Sequence, residues 1–238
     1  METSIAKRHR QDVVDRSPGV IFTLSVPSKL QIGSNAILSC FDQVPKDSAV
    51  EIPVENDDLT VSEQISIELM ALKKESKSYR FGCELSRGVG FIAFNGSLSP
   101  TKFIHTFLSS HCPPISPPFV SRLIPIEIVC APNLASFTAV CVPQIAKKFA
   151  GYAVDRSWKL IFDKHALTNL SKENVLDLLH SAIEERHEAS ITAPDVVLMV
   201  QTFQSVCGIA FLENYDELAE YNIRKLVSKR NTECNDNA

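Results

Sequence analysis

The sequence predicts an α/β fold in two parts, an α+β unit followed by a layered α/β unit. Residues 196–200 and 206–212 are continuous apolar runs separated by polar residues, and both are short enough to be strands. Strands that are apolar at consecutive positions are typical of a sheet covered on both faces. We therefore expect this hairpin at the centre of the second part, where Gly208 would mark a bulge or a close backbone approach.

The first part, residues 18–98, has the strand and helix order of a ferredoxin-like α+β sandwich. Ser28 is a candidate N-cap for the first helix. Thr60 and Glu63 have the capping-box spacing that begins a second helix. Strands are predicted at 20–26, 50–54, 80–85 and 89–94, with helices at 30–41 and 61–74.

The second part, residues 99–227, alternates strands and helices. Pro100 is suited to the first position of a helix, Pro125 places its strand at an edge or a bulge, and Pro143 must kink or split its helix. Ser171 caps the next helix. Strands are predicted at 120–130, 158–163, 196–200 and 206–212, and helices from 100 and at 134–149, 172–188 and 215–227, with a stiff connector at 112–119.

The two ends of the chain, residues 1–17 and 228–238, are predicted to be disordered tails. The basic residues at 7–10 also suit nuclear import or RNA contact. Seven cysteines without C-x-x-C spacing, and no signal peptide, favour free thiols in a reducing compartment. No apolar run is long enough to span a membrane.

The sequence shows no catalytic constellation, metal site or cofactor motif. The Gly88-Val89-Gly90 segment opens a strand and lacks the following glycine and helix of a phosphate-binding loop. His105, His111 and Cys112 have no second ligand cluster to complete a metal site. Cysteines 130 and 207 lie in apolar strands without an adjacent base, so they are expected to pack as small apolar residues.

Cationic residues are scattered through the second part of a chain whose net charge is −4. An anionic partner must therefore meet a local patch and not the whole surface. If Lys147, Lys148, Lys159, Lys164 and Lys172 share one face, they could follow a phosphate backbone. The alternative is an ordinary solvated face.

Several stretches together resemble the THUMP domain, an RNA-binding module of tRNA-modifying machinery. They are Arg122-Leu123-Ile124-Pro125-Ile126 with Cys130, Trp158-Lys159-Leu160-Ile161-Phe162, Pro194-Asp195, Val206-Cys207-Gly208-Ile209, and Tyr215 with Tyr221-Asn222-Ile223. The segments at 19–23 and 88–94 resemble the ferredoxin-like domain that precedes a THUMP domain. The resemblance covers residues 18–227 and implies a ferredoxin-like domain at 18–98 followed by a THUMP domain at 99–227.

A stand-alone protein of this layout is similar to the eukaryotic adaptor for tRNA acetylation. The resemblance implies a protein of the nucleus or nucleolus, or of the cytoplasm, that is not itself an enzyme. It would bind serine and leucine tRNAs and present a D-arm cytidine to a separate RNA cytidine acetyltransferase, which forms N4-acetylcytidine. The implied RNA contacts are Arg122, Lys147, Lys148, Lys159, Lys164, His165 and Lys172, with Arg80 and Arg87 as weaker candidates in the first part.

One segment departs from the family pattern. Where relatives have a basic K-x-R-N-like stretch, this chain has Asp163-Lys164-His165-Ala166, so an acid and a histidine replace two cations. This loss of positive charge, with the acidic overall balance, favours a second hypothesis. The protein would then be a protein-interaction scaffold with weak or no direct RNA binding.

Overall fold

The computed structural model describes residues 17–44, 78–95, 98–113 and 115–236, with side chains to residue 232. The predicted strand at 50–54, the predicted helix at 61–74 and residues 1–16 of the predicted tail lie outside these ranges. The described chain is an α+β protein with two four-stranded sheets.

The first sheet is antiparallel, with the strand order β2-β3-β1-β4. Its described elements follow one another along the chain as β-α-β-β-α-β, which is a ferredoxin-like order. The sequence predicts β-α-β-α-β-β within residues 18–98, so the place of the second described helix differs from the prediction. A core rich in phenylalanine lies between the sheet and its helices, and Phe41 makes edge contacts with four other aromatic rings. The elements are β1 (Gly19–Leu24), α1 (Leu30–Phe41), β2 (Tyr79–Ser86), β3 (Val89–Phe94), α2 (Pro100–Ser110) and β4 (Val120–Ile126).

The helix starts predicted at Ser28 and at Pro100 have different outcomes. Pro100 takes the first position of α2, as predicted, and Ser99 caps this helix by accepting a hydrogen bond from the Lys102 N–H. The Ser28 N-cap is wrong, because Pro27, whose φ suits a helical turn, already begins a 3₁₀ turn at Pro27–Lys29. Lys29 therefore takes the N-cap position of α1 without a side-chain hydrogen bond.

The predicted strand at 120–130 changes sheet at Glu127. Its first half is β4, and its second half is β5 (Ile128–Cys130) in the second sheet. Pro125 lies in the edge strand of the first sheet, as predicted. The first sheet thus takes α2 and β4 from beyond residue 98, and the change of sheet comes at Glu127. Where separately folding domains divide remains a prediction.

The second sheet has the order β5-β8-β7-β6, with β6 (Trp158–Lys164), β7 (Val196–Thr202) and β8 (Cys207–Glu213). Strands β6 and β7 are parallel, and the other pairs are antiparallel. The central hairpin is confirmed, since every residue of β7 is buried. Val196 and Leu198 lie in the core beneath the helices, whereas Val197 and Met199 lie in the core shared with the first sheet.

The close backbone approach predicted at Gly208 is also present. A Cβ atom at this position would lie 3.1 Å from the side chain of Ile126 in the first sheet. Glycine therefore allows the two sheets to approach each other here.

Two helices cover the outer face of the second sheet. A single turn at Leu134–Ser136 continues through a π-helical segment, Phe137–Cys141, into α3 (Val142–Ala150). The π segment comes just before Pro143, the residue predicted to kink or split this helix.

Helix α4 (Lys172–Ala182) is capped by Ser171 as predicted, but its predicted end at 188 is wrong. The chain leaves the helix at Ile183 because His187 is buried elsewhere. The His187 Nδ1 accepts from the Arg156 N–H at 2.9 Å, its Nε2 lies 3.1 Å from the Phe149 carbonyl, and its carbonyl accepts from the Trp158 indole.

The predicted closing helix at 215–227 is also partly wrong. Residues 219–221 have positive φ angles of 51°, 60° and 58°, and α5 begins only at Ile223. Tyr221 is fully buried and its hydroxyl donates to the Glu213 carbonyl at 3.0 Å, which holds this turn against β8. Helix α5 continues to Asp236, within the stretch predicted as a tail.

Candidate nucleic-acid interface

A groove of about 470 Å³ lies between the end of α3 and the strands β5 and β8. Ile145 and Phe149, one helical turn apart, are buried, which leaves Lys147 and Lys148 on the solvent side of the last turn. Positive side chains are favourable at this end of a helix. The groove is lined mainly by Ile128, Gln144, Lys147, Lys148, Tyr152 and Phe211.

Aromatic rings form part of the groove beneath Lys148. Its Nζ lies 5.6 Å from the centroid of the Phe211 ring and 6.0 Å from that of Tyr152. The Arg156 guanidinium lies 5.5 Å from the Tyr152 centroid. These are the distances of cation–π contacts, so the cations and rings hold one another in place.

The acidic groups near the groove are already hydrogen-bonded. Glu127 accepts from the Ser99 hydroxyl at 2.8 Å, and Glu213 accepts from the Tyr152 hydroxyl at 3.2 Å. Burial and then the charge of Glu213 raise the pKa of Tyr152, so this hydroxyl stays protonated and donates. Within the described chain, no acidic side chain forms an ion pair with Lys147 or Lys148. The groove therefore presents two lysines that form no ion pair with a described residue, beside aromatic rings.

A second cationic group lies where β6 ends and α4 begins. Hydrogen bonds from its own backbone N–H and from Ser171 lower the pKa of Glu173, and the charges of Lys172 and Lys164 lower it further. Both lysines thus lie close enough to Glu173 to act on the same carboxylate. The Lys164 ammonium also donates to the Thr168 carbonyl at 3.2 Å.

His165 follows Lys164 and stacks on Phe203, with ring centroids 4.6 Å apart and an interplanar angle of 1°. Burial against this ring lowers the pKa of His165, and the charge of Asp163 offsets part of that effect. This lowered pKa favours the neutral form of the imidazole at pH 7. In an RNA complex it would supply stacking or a hydrogen bond, and not a positive charge.

The predicted lysines do not share one face. The seven residues of β6, about 20 Å of extended chain, separate the loop that follows α3 from the Lys164 end. Lys159 alternates with Trp158 and Leu160, so it points away from the helices, and its ammonium donates to the Ile191 carbonyl at 3.1 Å. The structure thus forms two cationic groups, one at Lys147 and Lys148 and one at Lys164 and Lys172.

Arg122 is engaged in an ion pair. Its guanidinium lies 2.7 Å from Glu220, which also pairs with Lys225 at 3.2 Å. Because this pair joins β4 to the turn before α5, Arg122 has a structural role whether or not it contacts RNA. In the first layer, Arg80 lies near the start of β2 and Arg87 in the turn between β2 and β3, and both are exposed.

The described residues contain no group of three or more His, Cys, Asp or Glu side chains able to hold a metal ion. Cys130, Cys141 and Cys207 are buried together. Hydrogen bonding to Cys130, and then burial, raise the pKa of the Cys141 and Cys207 thiols, and the bonds that they form lower the pKa of Cys130.

Sequence reasoning missed the aromatic part of the groove. Phe211 lies in an apolar strand, and nothing in its local sequence indicates that its ring contacts a lysine from α3. Tyr152 comes shortly after Lys147 and Lys148. An aromatic residue just after a basic helix end is the local signal that could have indicated an aromatic side chain in the groove.

No protein-family model matches this sequence, and no curated protein matches it. Solved structures with distant similarity include PH1313 from Pyrococcus horikoshii Ot3, at 12% identity and a TM-score of 0.49, over 82% of this chain and 54% of that chain. A complex of a 4-thiouridine synthetase with RNA and bound ATP has 10% identity and a TM-score of 0.42, over 84% and 42% of the two chains. TrmN from Thermus thermophilus has 8% identity and a TM-score of 0.34, over 63% and 41%.

This chain thus spans about half the length, or less, of each of these proteins. Similarity at this level does not establish a shared activity. Within the described residues, no helix has the length and apolar character required to cross a membrane.

Proposed function

We propose that this protein is a tRNA-binding adaptor that presents serine and leucine tRNAs to a separate RNA cytidine acetyltransferase, which forms N4-acetylcytidine in the D-arm. The adaptor contributes binding energy and orientation, and the acetyl-CoA and ATP chemistry belongs to the partner. The resemblance to THUMP sequences supports the identity of the RNA and of the reaction.

The observation that carries RNA binding is the groove at the end of α3. Lys147 and Lys148 lack an acidic partner among the described residues, while the neighbouring carboxylates of Glu127 and Glu213 are hydrogen-bonded. Unpaired lysines bind phosphate oxygens and release counterions. Tyr152 beside them is partly exposed and suits contact with an unstacked base, whereas Phe211 is only 3% exposed and packs beneath Lys148. Lys164 and Lys172, at the other end of β6, form a second and separate cationic group.

The first test is the salt dependence of tRNA binding. Replacing Lys147 and Lys148 by Glu should weaken binding and lower the slope of log affinity against log salt by roughly 1 to 2, because each lost phosphate contact removes about 0.7–0.9. The matched control is Arg224→Glu with Lys229→Glu, two exposed cations of α5. An unchanged affinity and slope in the groove variant would remove this groove from the interface.

The second test is mass-spectrometric quantification of N4-acetylcytidine in purified tRNA from cells with and without the gene. We expect the modified nucleoside to disappear from serine and leucine tRNAs, to return with the wild-type gene, and not to return with the groove variant. An unchanged amount of N4-acetylcytidine in the deletion strain would contradict the adaptor role. Whether the protein binds tRNA is decided separately, by the salt-dependence measurement.

A specific observation favours a second function, a protein-interaction scaffold. Several predicted RNA contacts are already engaged within the chain, since Arg122 pairs with Glu220 and the ammonium groups of Lys159 and Lys164 bond to backbone carbonyls. Binding of tRNA no stronger than that of an acidic protein of equal net charge would support the scaffold and exclude the adaptor.

A further inference from the structure

Strand β6 forms one edge of the second sheet and pairs on one side with β7. On its other side, within the described chain, only its first residue has a backbone partner. The Trp158 N–H donates to the Glu188 carbonyl at 2.8 Å, and the Trp158 carbonyl accepts from the Ser190 N–H at 2.8 Å. Along the rest of this edge, the described residues provide no strand that pairs with β6.

Alternation along β6 identifies the groups that point outward. The Val196 N–H donates to the Ser157 carbonyl, and the His165 N–H donates to the Thr202 carbonyl. The backbone N–H and C=O groups of odd-numbered residues in this segment therefore point toward β7. The backbone N–H and C=O groups of even-numbered residues then point toward the other edge of β6, as those of Trp158 do. The N–H and C=O groups of Leu160 and Phe162 therefore point outward, with no bond to any described residue across that edge.

The side chains of this edge strand are self-complementary. Ile161 is flanked two residues away by Lys159 on one side and Asp163 on the other, and all three lie on one face of the strand. Consider two copies of β6 aligned antiparallel and centred on Ile161. Each Lys159, whose ammonium has three N–H donors and uses one for the Ile191 carbonyl of its own chain, then lies opposite Asp163 of the second copy, and the two Ile161 side chains meet.

The backbone agrees with the same register. When Ile161 meets Ile161, Leu160 lies opposite Phe162 of the second copy, and these are the residues whose N–H and C=O groups point outward. Such a pair exchanges both of its hydrogen bonds, and the flanking pairs bring their side chains closer together. Lys159 and Asp163 are flanking residues, so their charges come close.

We propose that the open edge of β6 is a docking surface for a second copy of this chain, which joins two four-stranded sheets into one eight-stranded sheet. The interface is isologous, since the same strand serves both copies. Lysine on an edge strand ordinarily prevents edge-to-edge pairing. In this register the lysine instead meets a carboxylate, so the charges select one partner, direction and register.

The proposal does not rest on the adaptor function, because self-association is measured in the absence of RNA. Sedimentation velocity and light scattering over a concentration series would measure the dimer. Lys159→Glu alone, or Asp163→Lys alone, sets like charges against each other at both symmetric contacts. Each should weaken dimerisation by roughly tenfold or more. The controls are Lys102→Glu and Asp177→Lys, the same charge changes at exposed sites of α2 and α4.

Mixing the two variants gives the sharpest result. In a mixed pair, Glu at position 159 of one copy meets Lys at position 163 of the other, and Asp163 meets Lys159, so every contact is attractive again. We expect two weakly associating variants to form a heterodimer when combined. A monomeric wild type, a Lys159→Glu dimer as tight as wild type, or a mixture that stays monomeric would each overturn the proposal. The edge would then be left to an extended segment of another protein.

Discussion

At the scale of single residues, His165 shows how one aromatic contact changes the chemistry of a predicted RNA contact. Stacking on Phe203 removes the imidazole from water, and this desolvation lowers the pKa of His165 although Asp163 lies nearby. The sequence correctly identifies a basic residue type here. Whether it carries charge at pH 7 depends on a residue 38 positions further along the chain.

The lowered pKa of His165 predicts a pH dependence of stability. In the unfolded chain this histidine takes up its proton near pH 6.5, above its pKa in the folded protein. Its contribution is therefore complete above about pH 6.5 and is lost as the pH falls through the folded pKa. Between pH 7 and pH 5, the urea midpoint of the wild type should fall more than that of His165→Gln.

The matched control for this pH measurement is His111→Gln, which changes an exposed histidine after α2. Its pH dependence should follow the wild type. Identical profiles for wild type and His165→Gln would show that the stacked histidine does not titrate differently in the folded state.

At the scale of elements, the N-terminus of α2 is tied to the point where the chain changes sheet. The Ser99 hydroxyl donates to the Glu127 carboxylate at 2.8 Å, and the Thr101 N–H donates to the same carboxylate at 3.2 Å. Ser99 also caps the helix by accepting from Lys102. One carboxylate between β4 and β5 thus fixes where α2 begins.

This arrangement predicts coupled losses of stability. Ser99→Ala should cost about 1 kcal/mol and Glu127→Ala about 1–3 kcal/mol, because a cap and bonds to a charged group are lost. The double variant should lose less than the sum, since the two changes remove one shared hydrogen bond. Urea denaturation measures all three. The control is Ser171→Ala at the α4 cap, which bonds only within its own helix, so its loss of stability should simply add to that of Glu127→Ala. If the losses of Ser99→Ala and Glu127→Ala also add, the coupling between these two residues is contradicted.

At the scale of the whole molecule, the second sheet connects two cores. One face packs beneath α3 and α4, and the other contributes to a core that includes both sheets and α5. Gly208 and Ile126 are in contact where the sheets approach each other. Since the same strands serve both cores, neither core has a complete set of neighbours without the other.

We therefore expect one cooperative unfolding transition. Trp158, the single tryptophan, reports on the core beneath the helices, and far-UV circular dichroism reports on the whole chain. The two urea transitions should coincide. Ile126→Ala, in the first sheet, should lower both midpoints, with a loss of roughly 2–5 kcal/mol. A Trp158 transition that does not move in this variant would show that the layers unfold separately.

The sequence by itself determined the features that depend on neighbouring residues. The continuous apolar runs identified β7 and β8 as strands buried on both faces, Pro100 and Ser171 marked helix starts, and Pro125 marked an edge strand. Each signal is local, because periodicity, capping and the missing proline N–H act within a few residues.

Only the tertiary structure decided which charges remain available. Arg122 is paired with Glu220, 98 positions away in the chain, whereas Lys147 and Lys148 remain unpaired among the described residues beside Phe211. The change of sheet at Glu127, the early end of α4 and the positive φ angles before α5 likewise depend on distant contacts. A single sequence carries no local signal for such pairings, because charge neutralisation and burial are set by whichever segments the fold brings together.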